Sequence, residues 1–151
     1  MHAPHQQSKS HCSYIIEAMH ALTNKSHFEL RVEVTVKGKD LFSRYSSFKI
    51  ADESDGYRLE LGSHSGTLLE KDSTYGLSAN NGFQFSTKDR DNDQDSDISC
   101  ADTRHGAWWY FRCTWVNLNG GWGEDWPTGL WWTDGFDHHF VDSTEMKIRQ
   151  I

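Results

Sequence analysis

The chain has 151 residues, a formal net charge of −7, and 36% hydrophobic and 13% aromatic residues. This length suits one domain with a hydrophobic core, and the aromatic content excludes a largely disordered protein. The excess of acid argues against nucleic acid as a partner, because Lys and Arg must neutralise phosphates there. The apolar runs are only a few residues long, so the sequence predicts no membrane span.

Three cysteines, Cys12, Cys100 and Cys113, permit one disulfide and leave one thiol over. This count favours an oxidising compartment, with the remaining thiol free or bonded to another chain. The N-terminus lacks the apolar stretch of a signal peptide, which predicts either an intracellular protein or part of a longer secreted product. Residues 1–13 are predicted to be a disordered or atypical tail, ahead of a domain over residues 14–151.

The first part of the predicted domain alternates between helical and strand periods. Apolar residues recur at helical spacing from Tyr14 to Asn24, which predicts a short amphipathic helix. From Phe28 to Val36 apolar and polar residues alternate, which predicts a strand with one face in the core. A turn at residues 38–40 then leads to a predicted partner strand over Leu41–Ile50.

Regular patterns become rarer after a second predicted strand pair, which ends with residues 57–61. Beyond Gly62 the chain is rich in Gly, Ser, Asn and Asp, and we predict a strand at residues 82–86 within otherwise irregular structure. Long irregular segments in compact domains usually carry function or are held by something other than a sheet. A bound cation and a disulfide are the two candidates.

Aspartates occupy every second position from Asp89 to Asp97. Five carboxylates this close repel one another unless a counter-ion is bound. Because Ca²⁺ takes about six to eight oxygen ligands from carboxylates and carbonyls, the alternation predicts a calcium site. An EF-hand fits poorly, since Ser96 stands where the turn glycine belongs and no flanking helices are predicted. The alternative is a solvated acidic loop. Zinc is disfavoured because no further ligands complete a tetrahedral set with the cysteines.

Several segments in a fixed order carry a resemblance to a known family, among them Asn81–Asp93, Gly106–Tyr110, Asn117–Gly120 and Glu145–Ile148. On these residues the chain resembles the C-terminal domain of fibrinogen-related proteins, a group that includes ficolins, tachylectins, tenascins and angiopoietins. The resemblance covers about residues 14–149. The stretches FSTKDRDND and GAWWY are most similar to the ficolin and tachylectin branch.

The resemblance implies an α+β domain with a twisted antiparallel sheet, short helices and an irregular loop subdomain that binds Ca²⁺ beside a ligand. Asp91 and Asp93 match the family's calcium carboxylates. The two backbone-carbonyl ligands that follow in the family fall at Asp95 and Asp97, although this loop is longer by one residue. Calcium is therefore the predicted cofactor, and its expected role is to hold the loop rather than to touch the ligand.

The resemblance also implies a ligand pocket beside a disulfide between Cys100 and Cys113, with a cis peptide bond before the second cysteine, at Arg112–Cys113. A pocket with aromatic walls in this place suits a small apolar group such as an acetyl methyl. The expected walls are Trp126 and Phe136, with His138 as the alternative. The predicted ligand-binding residues are Arg104, Arg112, Cys113, Thr114, Trp126, Phe136 and His138.

This chain departs from the family pattern at the pocket and at its N-terminus. Thr114 replaces a histidine of many relatives, which removes a polar contact to the ligand. Arg104 stands where relatives carry Tyr or Asp, and a guanidinium group there favours an anion such as a carboxylate or sulfate. The family's N-terminal third is missing ahead of Tyr14, so we expect a truncated domain that exposes apolar surface. Cys12 matches no family cysteine.

The remaining aromatic and histidine residues allow two interpretations each. Three tryptophans match core positions, and the other candidates form either core or an exposed sugar-stacking surface. His138 and His139 beside Asp134 and Asp137 suggest a second metal site, but a surface loop is favoured because no ligand spacing is defined. The core positions are Trp108, Trp109 and Trp132, and the surface candidates are Trp115, Trp122 and Trp131.

The predicted function is calcium-dependent recognition of glycans or acetylated groups by a secreted lectin of innate defence, without catalysis. The alternatives are an extracellular protein-interaction module and a truncated domain that binds no ligand. Glycoside hydrolysis by a carboxylate pair lacks support, because no carboxyl group is placed in an apolar setting that keeps it protonated. Oligomers would add avidity, although the sequence has no collagen-like or coiled-coil segment.

Overall fold

The computed structural model describes residues 11–151, which are organised around three antiparallel sheets. The largest has the strand order β5-β2-β1-β9, with β1 at Phe28–Val36, β2 at Lys39–Tyr45, β5 at His64–Gly66 and β9 at Ser143–Gln150. A second sheet pairs β3 (Phe48–Ile50) with β4 (Leu59–Leu61), and a third contains β6 (Val116–Asn117), β7 (Trp131–Thr133) and β8 (His138–Phe140). The helices are α1 (His11–Thr23) and α2 (Cys100–Thr103), with 3₁₀ turns at Glu53–Asp55, Lys71–Ser73 and Leu77–Asn80.

The central strand β1 confirms the predicted alternation, since it spans the predicted residues and buries Leu30, Val32 and Val34. It pairs with β2 on one side and with β9 on the other. The β9 partner comes from the end of the chain, with Val32 opposite Met146. The α+β class is therefore confirmed, and the large sheet is closed by a pairing that no local sequence pattern predicts.

The single partner strand predicted for Leu41–Ile50 is wrong, because β2 ends at Tyr45 and β3 begins at Phe48 in a different sheet. Tyr45 and Phe48 are both buried although they are three residues apart. Since side chains of a continuous strand alternate between its faces, the two rings can share the core only if the strand is interrupted. The break is held by hydrogen bonds from Ser46 N to the Ser63 carbonyl (3.0 Å) and from Gly62 N to the Ser47 carbonyl (2.9 Å).

Helix α1 begins at His11, before the predicted start, and its C-terminal end is fastened to β3. The buried hydroxyl of Thr23 donates to the Met19 carbonyl (2.9 Å) and accepts from Ile50 N (3.2 Å). His20 Nδ1 donates to the Ile50 carbonyl over 2.9 Å. The Thr23 and His20 side chains thus bond both backbone groups of Ile50, which fixes the C-terminal end of α1 against β3 of the second sheet.

Residues 82–86 do not form the predicted strand. Ser86 and Trp108 form an isolated bridge, with Ser86 N bonded to the Trp108 carbonyl over 2.9 Å. The preceding backbone is instead bonded to the start of β4, where Leu59 N donates to the Phe83 carbonyl (3.1 Å). Trp108, one of the predicted core tryptophans, is 1% exposed. Trp109 and Trp132 are buried as well.

Within residues 11–151, no helix combines the length and the apolar content that crossing a bilayer requires.

Candidate ligand pocket and acidic loop

A cavity of about 550 Å³ lies beside a disulfide between Cys100 and Cys113. Its walls come from residues 111–115, from the β7–β8 hairpin, from the loop that carries Trp126 and from the C-terminal end of α2. The structure forms the disulfide that the resemblance implies, and the peptide bond between Arg112 and Cys113 is cis. The residues that were predicted to bind a ligand and that line the cavity are Arg104, Arg112, Cys113, Thr114, Trp126 and His138.

Phe136, predicted as an aromatic wall, does not line this cavity. It lies in the turn between β7 and β8, where its backbone N–H donates to Asp134 Oδ1 over 2.7 Å. Its ring is 70% exposed, and the Lys71 ammonium lies 5.7 Å from the ring centroid. The strand that follows this turn places Phe140, rather than Phe136, at the cavity.

Five further residues line the cavity, and two of them, Trp115 and Trp131, were candidates for an exposed sugar-stacking surface. Trp131 is buried by packing and Trp115 is 38% exposed, yet both contribute to the cavity wall. The concentration of tryptophan in this region does not by itself distinguish a core ring from a pocket wall. The lining residues that the sequence did not indicate are Phe111, Thr133 and Phe140. Trp122, the third surface candidate, is 83% exposed and lies outside the cavity.

The hydroxyl of Thr114 is fully used by the protein itself. It donates to the Val116 carbonyl (2.8 Å) and accepts from Val116 N (3.1 Å) and from Asn80 Nδ2 (2.9 Å). Asn80, which is completely buried, also donates to the Trp109 carbonyl over 2.8 Å. The Thr114 hydroxyl therefore has no hydrogen-bonding capacity left for a ligand.

Asn117 positions the backbone on two sides of the cavity, and sequence reasoning did not select it. Its Nδ2 donates to the Gly129 carbonyl (2.8 Å) and to the Arg104 carbonyl (3.1 Å), while its Oδ1 accepts from the Tyr110 hydroxyl (3.0 Å). The side chain is completely buried. A buried amide with this many partners holds segments distant in sequence at a defined separation. The sequence feature that could have identified Asn117 is its position in Asn117–Gly120, one of the segments that carry the family resemblance.

The acidic loop before Cys100 is built from consecutive side-chain-to-backbone bonds. Oδ1 of Asp91 accepts from Asp93 N (3.1 Å), Oδ1 of Asp93 from Asp95 N (2.8 Å), and Oδ1 of Asp95 from Asp97 N (3.1 Å). Such bonds from each aspartate to the N–H two residues on stabilise tight turns. The predicted alternation therefore has a local structural role in addition to any role in binding a cation.

Of the predicted metal ligands, Asp91 and Asp93 have neighbouring carboxyl groups, near enough for Asp91 to raise the pKa of Asp93. Burial raises the pKa of Asp93; hydrogen bonds from Cys100 N and Asp95 N oppose this, and the neighbouring Asp91 reinforces it. No cluster of three or more His, Cys, Asp or Glu side chains suited to a metal occurs in the described part of the chain. The carboxylates of Asp95 and Asp97 are thus not gathered onto this pair, and a cation here would need backbone carbonyls as further ligands.

The acidic loop is connected to the cavity by short bonds. Asp93 Oδ2 accepts from Cys100 N over 2.8 Å, at the disulfide that borders the cavity. Gln94 N donates to the Phe111 carbonyl (2.8 Å), and Phe111 N donates to the Cys113 carbonyl (2.7 Å). A change in the loop can therefore reach the cavity wall through a continuous set of contacts.

The β7–β8 hairpin carries Asp134 and Asp137 in its turn and His138 and His139 in β8, for which the surface-loop interpretation was favoured. Asp134 is buried and accepts from Phe136 N (2.7 Å), Asp137 N (2.7 Å) and His139 Nε2 (2.8 Å). Burial raises the pKa of Asp134, but these hydrogen bonds together outweigh it and hold the pKa below its usual value. Both carboxylate oxygens of Asp134 are hydrogen-bonded within the β7–β8 hairpin, so we assign Asp134 a structural role.

His138 faces the cavity from this hairpin, and its pKa lies below the usual value. Burial lowers its pKa, the neighbouring His139 lowers it further, and Asp137 opposes them. Its Nδ1 is hydrogen-bonded to Thr133 Oγ1 (2.7 Å), and its ring centroid lies 5.2 Å from that of Trp131. Its Nε2 is buried without a partner among the described residues.

Cys12 carries an exposed free thiol near the start of α1. Apolar side chains of the same helix are also exposed, namely Tyr14 (62%), Ile15 (51%) and Leu22 (46%). The pairing within the described chain is therefore one intramolecular disulfide and one thiol that has no partner in it.

A cavity with several aromatic side chains and a few polar groups in its wall has the usual composition of a ligand-binding site. The sequence matches the family described as fibrinogen beta and gamma chains, C-terminal globular domain, over residues 10–151, and the chain belongs to that family. This confirms the resemblance drawn from the sequence motifs.

Individual relatives agree with this assignment. Ryncolin-4 from Cerberus rynchops is 40% identical over 139 residues, which cover 88% of this chain and 39% of Ryncolin-4. The fibrinogen-like globe domain of human ANGPTL6 has a TM-score of 0.80 and 32% identity, over 90% of this chain and 62% of that one. Lamprey fibrin D-dimer, solved with the peptide Gly-His-Arg-Pro-amide, has a TM-score of 0.76 and 26% identity, over 90% and 50%. The chain thus spans less than two thirds of the length of these relatives.

Proposed function

We propose that this chain is an extracellular recognition domain that binds a small acylated group, such as the N-acetyl group of a glycan, in the cavity beside the Cys100–Cys113 disulfide. The observation that carries the proposal is the convergence of six predicted ligand-binding residues on one cavity with aromatic walls. The intramolecular disulfide supports a location outside the cell, because reducing compartments rarely preserve such bonds.

Calcium is proposed to hold the acidic loop in the shape that supports the cavity. The carboxylates of Asp91 and Asp93 fit a cation, since they are neighbours and would otherwise repel. No N–H or O–H group within residues 11–151 donates to the backbone carbonyls of Asp95 and Asp97, so those oxygens are free to act as further ligands. The bound ion would supply charge neutralisation, and Asp93 would transmit its effect to Cys100.

Binding rather than catalysis follows from the composition of the cavity wall. None of its described lining residues is Asp or Glu, so no carboxyl group is in place to protonate a glycosidic oxygen. In the acidic loop, both oxygens of Asp93 accept backbone hydrogen bonds. Turnover of a chromogenic N-acetylated sugar that depended on one of these aspartates would contradict this conclusion.

A second candidate function is recognition of a protein or peptide. The relative solved with Gly-His-Arg-Pro-amide favours it, because that structure shows a peptide ligand on a chain of the same fold. Apart from the guanidinium groups, the cavity wall offers mostly aromatic surface, which packs against apolar side chains as readily as against acyl groups.

Calorimetric titration distinguishes these functions. We expect N-acetylglucosamine to bind and glucosamine to bind much more weakly, with both signals reduced after Ca²⁺ is removed by EDTA. Equal binding of the two sugars would overturn acyl recognition. Peptide binding that N-acetylglucosamine fails to displace would favour the second candidate.

A further inference from the structure

The two arginines of the cavity differ from every other arginine of the chain. The sequence contains seven, and the five that lie elsewhere each form an ion pair with Asp or Glu: Arg31, Arg44, Arg58, Arg90 and Arg149. The guanidinium groups of Arg104 and Arg112 form neither an ion pair nor a hydrogen bond with any residue that the structure describes, and Arg104 Nε is buried without a partner. Both line the same cavity.

Nothing in the cavity wall compensates this positive charge. The wall contains two guanidinium groups, one imidazole and no carboxylate, in a chain whose net charge is −7. Arginine stays protonated at all physiological pH values, so the charge cannot be removed by deprotonation. A charged group that is partly withdrawn from water is costly unless it gains a partner. Arg104, whose Nε is buried without a partner, therefore favours an anionic ligand, and the exposed Arg112 adds a second positive charge to the same wall.

The remaining wall defines the uncharged part of such a ligand. Trp126, Trp131 and Phe140 offer aromatic surface, and the Thr114 hydroxyl is occupied within the protein. Burial lowers the pKa of His138, and its buried Nε2 has no partner among the described residues. An apolar group fits against the rings, while a hydrogen-bonding group of the ligand adjoins it.

We propose that the cavity selects ligands in which a carboxylate adjoins a small apolar group such as an acyl methyl. A planar carboxylate presents two oxygens that match the fork of a guanidinium group, and such charge-assisted hydrogen bonds are about twice as strong as neutral ones. This inference rests on the proposed function and adds the charge of the ligand to it. Arg104 and Arg112 are the specificity-determining residues.

Matched ligand pairs test the proposal, since they differ in charge and share the acyl group. N-acetylalanine is compared with N-acetylalaninamide, and N-acetylneuraminic acid with its methyl ester, so that amino-acid and sugar carboxylates are distinguished. We expect the carboxylate of at least one pair to bind about tenfold more tightly than its neutral partner, and the difference to shrink as NaCl is added. Equal affinity in both pairs overturns charge selection and leaves acyl recognition intact. Absence of binding by all four ligands overturns the proposed function as well.

Arginine variants assign the effect to the cavity. Arg104→Gln and Arg112→Gln are each expected to lose most of the carboxylate preference while still binding the neutral partner. Arg149→Gln is the matched control, because it removes the same charge from a side chain 70% exposed at the sheet edge. A similar loss in Arg149→Gln would show that net charge, rather than the cavity, sets the preference. Arg112 is exposed, so its variant keeps the test valid if Arg104→Gln fails to fold.

Discussion

The carboxylate of Asp93 accepts a hydrogen bond from the backbone N–H of Cys100 over 2.8 Å, which joins the acidic loop to the disulfide at the cavity. Asp93→Ala removes this acceptor and leaves the N–H of Cys100, a buried residue, without a partner. We expect the free energy of unfolding to fall by about 1–3 kcal/mol, measured in urea without calcium. Asp102→Ala is the control, because that side chain is 70% exposed and forms a 3.5 Å ion pair with Lys88. Equal losses in both variants would contradict the structural role of Asp93.

Calcium binding is expected to raise the melting temperature, because an ion that binds the folded loop stabilises it by mass action. Asp91→Asn should abolish this increase, since one of the two neighbouring carboxylates is lost. Asp102→Asn should retain it. The measurement is differential scanning fluorimetry across a CaCl₂ titration, with EDTA to reverse the effect. A melting temperature that ignores both CaCl₂ and EDTA would refute the calcium assignment.

The disulfide closes a loop of sequence separation 13 between Cys100 and Cys113. Replacing both cysteines with Ser is expected to cost about 3 kcal/mol of unfolding free energy, because the unfolded chain regains the entropy of an open loop. Cys12→Ser should leave stability unchanged, since that thiol is exposed and unpaired in the described chain. Urea denaturation of the three proteins provides the comparison. An unaltered double variant would show that the surrounding core holds the segment by itself.

Asp134 should make stability depend on pH in the acid range. Because its folded pKa lies below the unfolded value of about 3.9, its contribution is present above that value and is lost as pH falls through the folded pKa. Asp134→Asn is therefore expected to be less stable than the wild type at pH 7, by about 1–3 kcal/mol, and to converge with it at lower pH. Asp72→Asn, at an exposed position, should show no such convergence. Parallel stability curves for Asp134→Asn and the wild type would exclude the linkage.

Trp126 is expected to contribute to ligand affinity without contributing to the core. Its side chain is 58% exposed and lines the cavity, so Trp126→Ala should weaken binding by about tenfold and leave the melting temperature unchanged. Trp122→Ala, which truncates a ring 83% exposed outside the cavity, is the matched control. Titration calorimetry with N-acetylglucosamine and with N-acetylalanine reports the effect. If the two variants bind equally well, the cavity is not the binding site.

The strand β1 was predictable from the local sequence pattern, whereas the break after β2 was not. The alternation over Phe28–Val36 predicted both the limits of β1 and its buried face, because a strand with one face in the core has a period of two. The interruption between Tyr45 and Phe48 was missed, since both rings are apolar and the run remains compatible with a strand. Only the pairing of β3 with β4 shows which residues leave the large sheet.

The acidic loop was also only partly predictable. The alternation of aspartates indicated a cation and a turn-rich segment, but not which carboxylates would meet. The structure pairs Asp91 with Asp93 and uses Oδ1 of Asp95 to bond the next turn. That division depends on how the loop folds back onto Cys100 and on its bond to Phe111, which lies beyond α2 in the sequence.

By itself the sequence determined the family, the α+β class and six of the residues that line the cavity, because motifs and periodicity are local properties of the chain. The tertiary structure alone decided that Arg104 and Arg112 share one cavity without an acid and that Phe140 takes the place expected for Phe136. Whether a charge has a partner depends on distances between segments that are far apart along the chain. Composition reports a net charge of −7, whereas folding determines where the uncompensated positive charge lies.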